Sequence, residues 1–225
     1  MDKEKYIAIE SYMQSCTEDS AHDKEHIYRV LNNALLIAET EDGVDYDVLI
    51  TACLLHDVGR VDQMRDATLC HAIVGSEKAK QFLHTQGYSN NFVDAVSDCI
   101  RTHRFRKNAP PQTLEAKILF DADKLDVVGA MGIARTLAYQ GAKGAPLYTK
   151  LPDGTVGDGS GDVPYSFFRE YKFKLENLYD RFYTKKGRKV ALECREAAVS
   201  FYEDLLREVR HAHECADERL RRHVR

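Results

Sequence analysis

The chain has 225 residues, 44% of them apolar and 30% charged, with a formal net charge of −4. This length accommodates one well-buried core, or at most two small domains. The charge balance gives no general attraction to nucleic acid or to an anionic membrane, so any positive patch has to be local. The N-terminal MDKEKYIAIE lacks the basic-then-apolar pattern of a secretory signal, and no apolar run approaches the roughly 20 residues that span a bilayer. Six cysteines, at 16, 53, 70, 99, 194 and 215, include no CxxC pair. Cys53 and Cys99 fall in apolar helical patterns as packed thiols, which suits a reducing cytoplasm.

In chain order, the dominant period is 3.6. Residues 3–15 form a weak amphipathic helix. Ser20-Ala-His-Asp23 has the spacing of a capping box and opens a helix to about Thr40. Asp45 or Asp47 starts the next helix, which ends near Val58-Gly59, and a loop runs from Arg60 to Leu69. Helices follow over 71–84 and 90–103. Asn108-Ala-Pro-Pro-Gln is a break, after which Thr113 caps a long apolar segment reaching about Tyr139. Residues 141–164 are rich in Gly and Pro and read as a loop insertion. Two more helices, about 165–184 and 188–210, flank Lys185-Lys186-Gly187, and the last fifteen residues read as a solvated, fraying end. No strand pattern emerges. The expected fold class is all-α, in a single domain with a core at about 20–140, a flexible loop and C-terminal helices.

Polar residues interrupt this pattern in three places. On the second helix, His22, His26, Arg29 and Asn33 project within about 60° of one another, at the margin of an apolar face. An almost unbroken apolar run, Val48 to Leu55, ends in His56-Asp57. The dipeptide alone carries little, because His22-Asp23 repeats it and a C-terminal His is also what a helix dipole favours. In KILFDADKLDVVG, Asp121, Asp123 and Asp126 interrupt a helix that is apolar nearly all round and therefore belongs in the interior. Carboxylates there need a cation. Imidazoles and carboxylates from three helices suit a divalent ion with open coordination sites. Helical projection does not choose among the three aspartates.

These segments, in this order, resemble the HD-domain metal-dependent phosphohydrolases. The similarity rests on HIYRV, CLLHDVGR, HAIVGSEKAKQFL, CIRTH, EAKILFDADKLDVVGAMGIAR and RKVALECREAAVSFYEDLL, and covers roughly residues 20 to 210. It is greatest to a bacterial branch of uncharacterised hydrolases that includes nucleotide pyrophosphohydrolases. The resemblance implies His26, His56, Asp57 and Asp123 as ligands of one divalent ion (Mn, Mg, Co, Ni, Fe or Zn), with Asp123 at the family's "AD" position. One departure is Arg60 after HDVG, where the branch often has an acidic residue; Asp62 is the nearest substitute.

The activity expected from the resemblance is phosphoester or pyrophosphate hydrolysis of a phosphorylated small molecule, a nucleotide foremost, by metal-activated water. His71 and His103 join Asp57 as candidate catalytic residues, serving as proton relays or phosphate contacts. Arg29, Lys124 and Arg104 are the candidate substrate ligands, with Arg101, Arg106 and Lys107 as further basic residues; the arginine fork matches phosphate oxygens. The glycine-rich DGTVGDGSG at 153–161 fits neither a P-loop nor a dinucleotide fingerprint. Two other readings stand beside hydrolysis. His26, His56, Asp57, His71, His103 and Asp123 give six ligands for two metals, the second through His71 and His103, as in the di-iron oxygenases of the same superfamily. Alternatively the chain is a non-catalytic nucleotide sensor.

Overall fold

The computed structural model describes residues 1–16, 24–104, 109–161 and 163–224, without the side chains of 214, 215, 217 and 218. The capping box at 20–23, with His22, and the basic residues Arg106 and Lys107 lie outside this set, as does Asn108. Among the described residues the regular structure is all-α: ten α-helices, one 3-10 turn, and a single isolated bridge between Lys150 and Val156. No helix among them is long and apolar enough to cross a membrane.

The chain divides into two compact units. The first comprises Met1–Asp126 and Phe182–Arg188. It holds α1 (Lys3–Cys16), α2 (Lys24–Ala38), α3 (Tyr46–Leu55), α4 (Arg60–Arg65), α5 (His71–Thr85), α6 (Asn90–Thr102) and α7 (Leu114–Leu125). The greasy α3 is the central rod. Val48, Leu49, Ala52, Cys53, Leu54 and Leu55 are all buried, and α1, α2, α6 and α7 pack around it. A helix apolar on every face can only be satisfied this way. Side-chain caps fix where the helices begin. Asp45 accepts from the backbone N–H of Asp47 and Val48, at 3.0 and 3.1 Å, Ser89 from Phe92, and Thr113 from Ala116.

Local chemistry fixes two details that the apolar pattern does not carry. The segment expected as a loop from Arg60 opens instead with the short α4. The Arg60 guanidinium reaches back three residues to Asp57, and Asp62 pairs with Lys78 of α5 at 2.7 Å. Gly59, at the turn between α3 and α4, is where backbone meets backbone. A Cβ there would lie 2.4 Å from the carbonyl oxygen of His71 and 2.5 Å from the amide nitrogen of Gly75. Only glycine lets α5 come this close to the end of α3.

The second unit comprises Val127–Arg181 and Lys189–Arg225. The apolar pattern expected to run unbroken to Tyr139 is interrupted. Asp126 caps α7, and α8 (Gly129–Ala142) restarts at Gly129, whose φ is +61°. After the Gly/Pro-rich loop come α9 (Phe167–Phe173), a 3-10 turn (Leu175–Asn177) and α10 (Lys185–His223). Phe167, Phe168, Tyr171 and Tyr202 form an aromatic core, with Tyr171 and Tyr202 stacked at 4.1 Å between centroids. The Lys185-Lys186-Gly187 stretch is the first turn of α10 and not a separator, because the Thr184 hydroxyl accepts from the Gly187 N–H at 3.0 Å. The tail stays helical to His223. The loop holds it, with Tyr148 and His213 hydrogen-bonded at 2.9 Å and Arg210 donating to the carbonyl of Val156.

Candidate metal centre

The centre lies wholly in the first unit and is built from helix ends. His56 and His103 are the C-terminal caps of α3 and α6. Asp123 is in the last turn of α7, and Asp57 follows His56. His26 lies in the first turn of α2 and His71 opens α5. Three helix C-termini, each with a partial negative charge, therefore converge where a cation would sit. His26, His56, His71, His103 and Asp57 are all buried.

The geometry sorts the six residues into two groups. His26, His56 and Asp123 offer ligand atoms within 4.8 Å of one another, and so do Asp57, His71 and His103. Asp57 faces both. Its Oδ2 is 3.7 Å from His26 Nε2 and 3.8 Å from His56 Nε2. Its Oδ1 is 3.4 Å from His71 Nε2 and 3.9 Å from His103 Nε2. Asp123 Oδ1 is 3.5 Å from His26 Nε2.

The hydrogen bonds behind the imidazoles decide what they can do. His56 Nδ1 donates to the carbonyl of Cys53 at 2.7 Å, and His103 Nδ1 to that of Ile100 at 2.6 Å, each one turn back along its own helix. His26 Nδ1 donates to Asp126 Oδ2 at 2.7 Å. His71 Nδ1 donates to Gln63 Oε1 at 2.6 Å; the Gln63 amide is oriented because its nitrogen donates to the carbonyl of Leu69 at 2.9 Å. All four Nδ1 atoms are thus protonated, and all four Nε2 atoms present bare lone pairs inward. Two of those lone pairs meet at 3.4 Å between His26 and His56, and two at 3.3 Å between His71 and His103. Asp57 Oδ1 is buried with no hydrogen-bond partner. Such a convergence of acceptors with no donor between them fits a divalent cation, and the hydrogen-bonded Nδ1 is what orients a metal-binding histidine.

Electrostatics agree. Burial pushes His71 down to about 2 and His103 to about 3, and lowers His56 as well, so these three imidazoles are neutral. Burial opposes ionisation of the carboxyls too, but the neighbouring charges outweigh it. Arg60 foremost holds Asp57, and Lys124 foremost holds Asp123, well below the usual carboxylate range. Neutral imidazole and ionised carboxylate are the forms that bind metal.

The three aspartates left open by projection have three separate settings. Asp123 Oδ1 faces His26, while its Oδ2 accepts from Lys124 at 2.7 Å. Asp126 turns away and holds His26 from behind, paired with Arg29 at 2.6 Å. Asp121 points elsewhere, accepting from the backbone N–H of Tyr183 and Thr184 and from the Thr184 hydroxyl. Among the proposed substrate ligands, Arg29 is engaged by Asp126 and Lys124 by Asp123. Arg104 is half-buried with its guanidinium 3.7 Å from the Cys70 sulfur. Arg101 pairs with Asp98 on the surface, and Asp62 with Lys78. Sequence reasoning missed Gln63 as the partner of His71 and Arg60 as the partner of Asp57. The spacing of Arg60 three residues after Asp57 was the available signal for the second.

The HD-domain family model matches residues 24–128. Among curated proteins, the uncharacterised protein YpgQ of Bacillus subtilis is 31% identical over 207 residues, which is 89% of this chain and 92% of YpgQ. The crystal structure of YpgQ in complex with ADP superposes with a TM-score of 0.69 at 31% identity, over 91% of this chain and 97% of that one. An HD-superfamily hydrolase from Bacillus thuringiensis gives 0.69 at 27%, over 92% and 97%. A predicted HD superfamily hydrolase from an uncultured Thermotogales bacterium gives 0.60 at 30%, over 89% and 90%. The chain belongs to the HD-domain superfamily of hydrolases, whose fold implies a divalent metal.

Proposed function

We propose that this protein is a divalent-metal-dependent phosphohydrolase acting on a phosphorylated small molecule, a nucleotide foremost. The observation that carries the reading is the set of four inward-facing Nε2 lone pairs gathered around the Asp57 and Asp123 carboxylates. His26, His56, Asp57 and Asp123 would hold the ion. When bound, it supplies acidity to water and draws charge from a phosphoryl oxygen. The residues around it do the rest. Asp126 keeps His26 in the ligating tautomer. His71 and His103 line the other face of Asp57, where their neutral Nε2 atoms can accept a proton or a donor on the substrate. Arg104, whose guanidinium lies 3.7 Å from the Cys70 sulfur and is not engaged by a carboxylate of the centre, is the first candidate to take a phosphate oxygen, with Arg29 and Lys124 as further candidates. The YpgQ complex with ADP supports a nucleotide as the ligand class.

The test is a screen of phosphorylated metabolites with Mn, Mg, Co and Ni, reading both phosphate and pyrophosphate release. Turnover is expected with at least one metal and should vanish in Asp57→Ala. A folded, equally active Asp57→Ala removes Asp57 from the mechanism. Ligand binding without turnover under every metal would favour the sensor reading.

A second reading has its own observation. Asp57 Oδ1 is buried, lacks a partner and faces His71 and His103, so a second ion there would share Asp57 with the first. Two ions support either two-metal hydrolysis or oxygen chemistry. Metal counting, with oxygen uptake measured on the same sample, separates these from a one-ion hydrolase.

A further inference from the structure

Each aspartate of the centre has its own cation, but the three pairs differ. Arg29 holds Asp126, which stands behind His26. Lys124 holds Oδ2 of Asp123 and leaves Oδ1 turned toward His26. Arg60 holds Asp57 through Oδ2, with Nη2 at 3.0 Å and Nε at 3.2 Å. Oδ2 is also the Asp57 oxygen nearest His26 Nε2 and His56 Nε2. A divalent ion held by His26, His56 and Asp57 would draw on the oxygen that the guanidinium already occupies, and like charges would repel across it.

Arg60 has little else to hold it. Its Nη1 lies 3.0 Å from His71 Nδ1, but that nitrogen already carries the proton given to Gln63, so the contact sets N–H against N–H. The side chain is 25% exposed, unlike the buried Asp57, and so already reaches solvent. We propose that Arg60 is a displaceable counter-ion of Asp57: it competes with the divalent ion for Oδ2 and, once displaced, serves as a ligand for a phosphate group of the substrate. Metal and phosphate then bind with positive coupling, which is reciprocal by linkage. Arg60 is a positioning residue in the metal-free centre and a phosphate ligand in the loaded one. This rests on the metal-dependent reading above.

The experiment measures Mn2+ binding to the full chain from the free-ion electron paramagnetic resonance signal, with and without inorganic phosphate, in the wild type, Arg60→Gln and Arg60→Lys. Arg60→Gln should bind Mn2+ alone about tenfold more tightly than the wild type, within the usual range of coupling between sites. Phosphate should tighten Mn2+ binding in the wild type and much less in Arg60→Gln. Arg60→Lys, which keeps the charge, should return toward wild-type affinity. An Arg60→Gln chain with wild-type circular dichroism and no gain in Mn2+ affinity overturns the proposal and leaves the metal reading standing. So does a lysine variant that behaves like the glutamine one. The wild type decides without any variant: if phosphate leaves its Mn2+ affinity unchanged, the coupling does not exist. Absence of Mn2+ binding by the wild type under both conditions removes the metal reading and this one together.

Discussion

Asp121, Asp123 and Asp126 lie within six residues of one helix end, yet each carboxylate meets a different environment. Asp126 gives His26 its tautomer and neutralises Arg29. Replacing it by Asn removes the charge and the certainty of the acceptor, so Asp126→Asn should weaken Mn2+ binding by about 10–100-fold in calorimetry, the usual cost of losing a partner behind a metal-binding histidine. Asp121 has no part in the centre. Its loss would strand the half-buried N–H of Tyr183 and the buried N–H and hydroxyl of Thr184. Asp121→Ala should therefore cost about 2–3 kcal/mol of stability by urea denaturation, while Mn2+ affinity stays at the wild-type value. The sequence announced that these acids were unusual, because each interrupts an apolar helix. It could not rank them, since a turn of 100° per residue places a side chain on a face and does not say what waits opposite.

At the scale of elements, the centre exists because helices end there. His56 and His103 each satisfy a carbonyl left over at a helix C-terminus, and the same bond aims Nε2 at the site. The reading of His56 as a residue suited to a helix end and the reading of it as a ligand are one arrangement. Gly59 sets the spacing between two of the elements. Gly59→Ala drives a methyl group into the backbone of α5 at His71 and Gly75, where nothing flexible can yield. The expected cost is about 1–3 kcal/mol. Mn2+ affinity should fall as well, because the strain lands between Asp57 and His71; unchanged binding would mean that the elements can part without disturbing the centre. The starts of α3 and α7 were readable from their capping Asp and Thr. The break after Asp126 was not, because Val127 and Val128 continue the apolar pattern and only Gly129 interrupts it.

For the molecule as a whole, the centre is a liability when no cation fills it. Buried acceptors face one another, so a bound ion should stabilise the fold by mass action. Mn2+ should raise the melting temperature of the wild type in a concentration-dependent way and leave that of Asp57→Ala nearly unmoved. Acid should act in the opposite sense. His71 and His103 are held down to about 2 and about 3 in the folded chain, against about 6.5 when unfolded. Between those limits the unfolded state binds more protons, so stability is full above pH 6.5 and is lost as the pH falls below it. The depressed carboxyls of Asp57 and Asp123 add a loss of the same sign at lower pH. The urea midpoint of chelator-treated protein should therefore be nearly level from pH 8 to about pH 7 and drop steadily from there to pH 5; a profile flat throughout would mean that the imidazoles are solvated and titrate normally.

The sequence by itself determined the all-α class and the interior character of the helix that carries Asp121, Asp123 and Asp126. It also supplied the order of a His, a His-Asp pair and an Asp on separate helices, whose resemblance to the HD family the comparisons bear out. Those properties follow from local periodicity, capping chemistry and motif spacing, each legible within a few turns of chain. Tertiary structure alone decided that Asp126 stands behind His26, a hundred residues away in sequence. It also decided that Gln63 fixes the proton on His71, that Arg60 bonds an oxygen of the centre, and that α10 begins within Lys185-Lys186-Gly187. A carboxylate, an amide and a guanidinium take their roles from the partners that folding brings to them, and no window along the chain contains those partners.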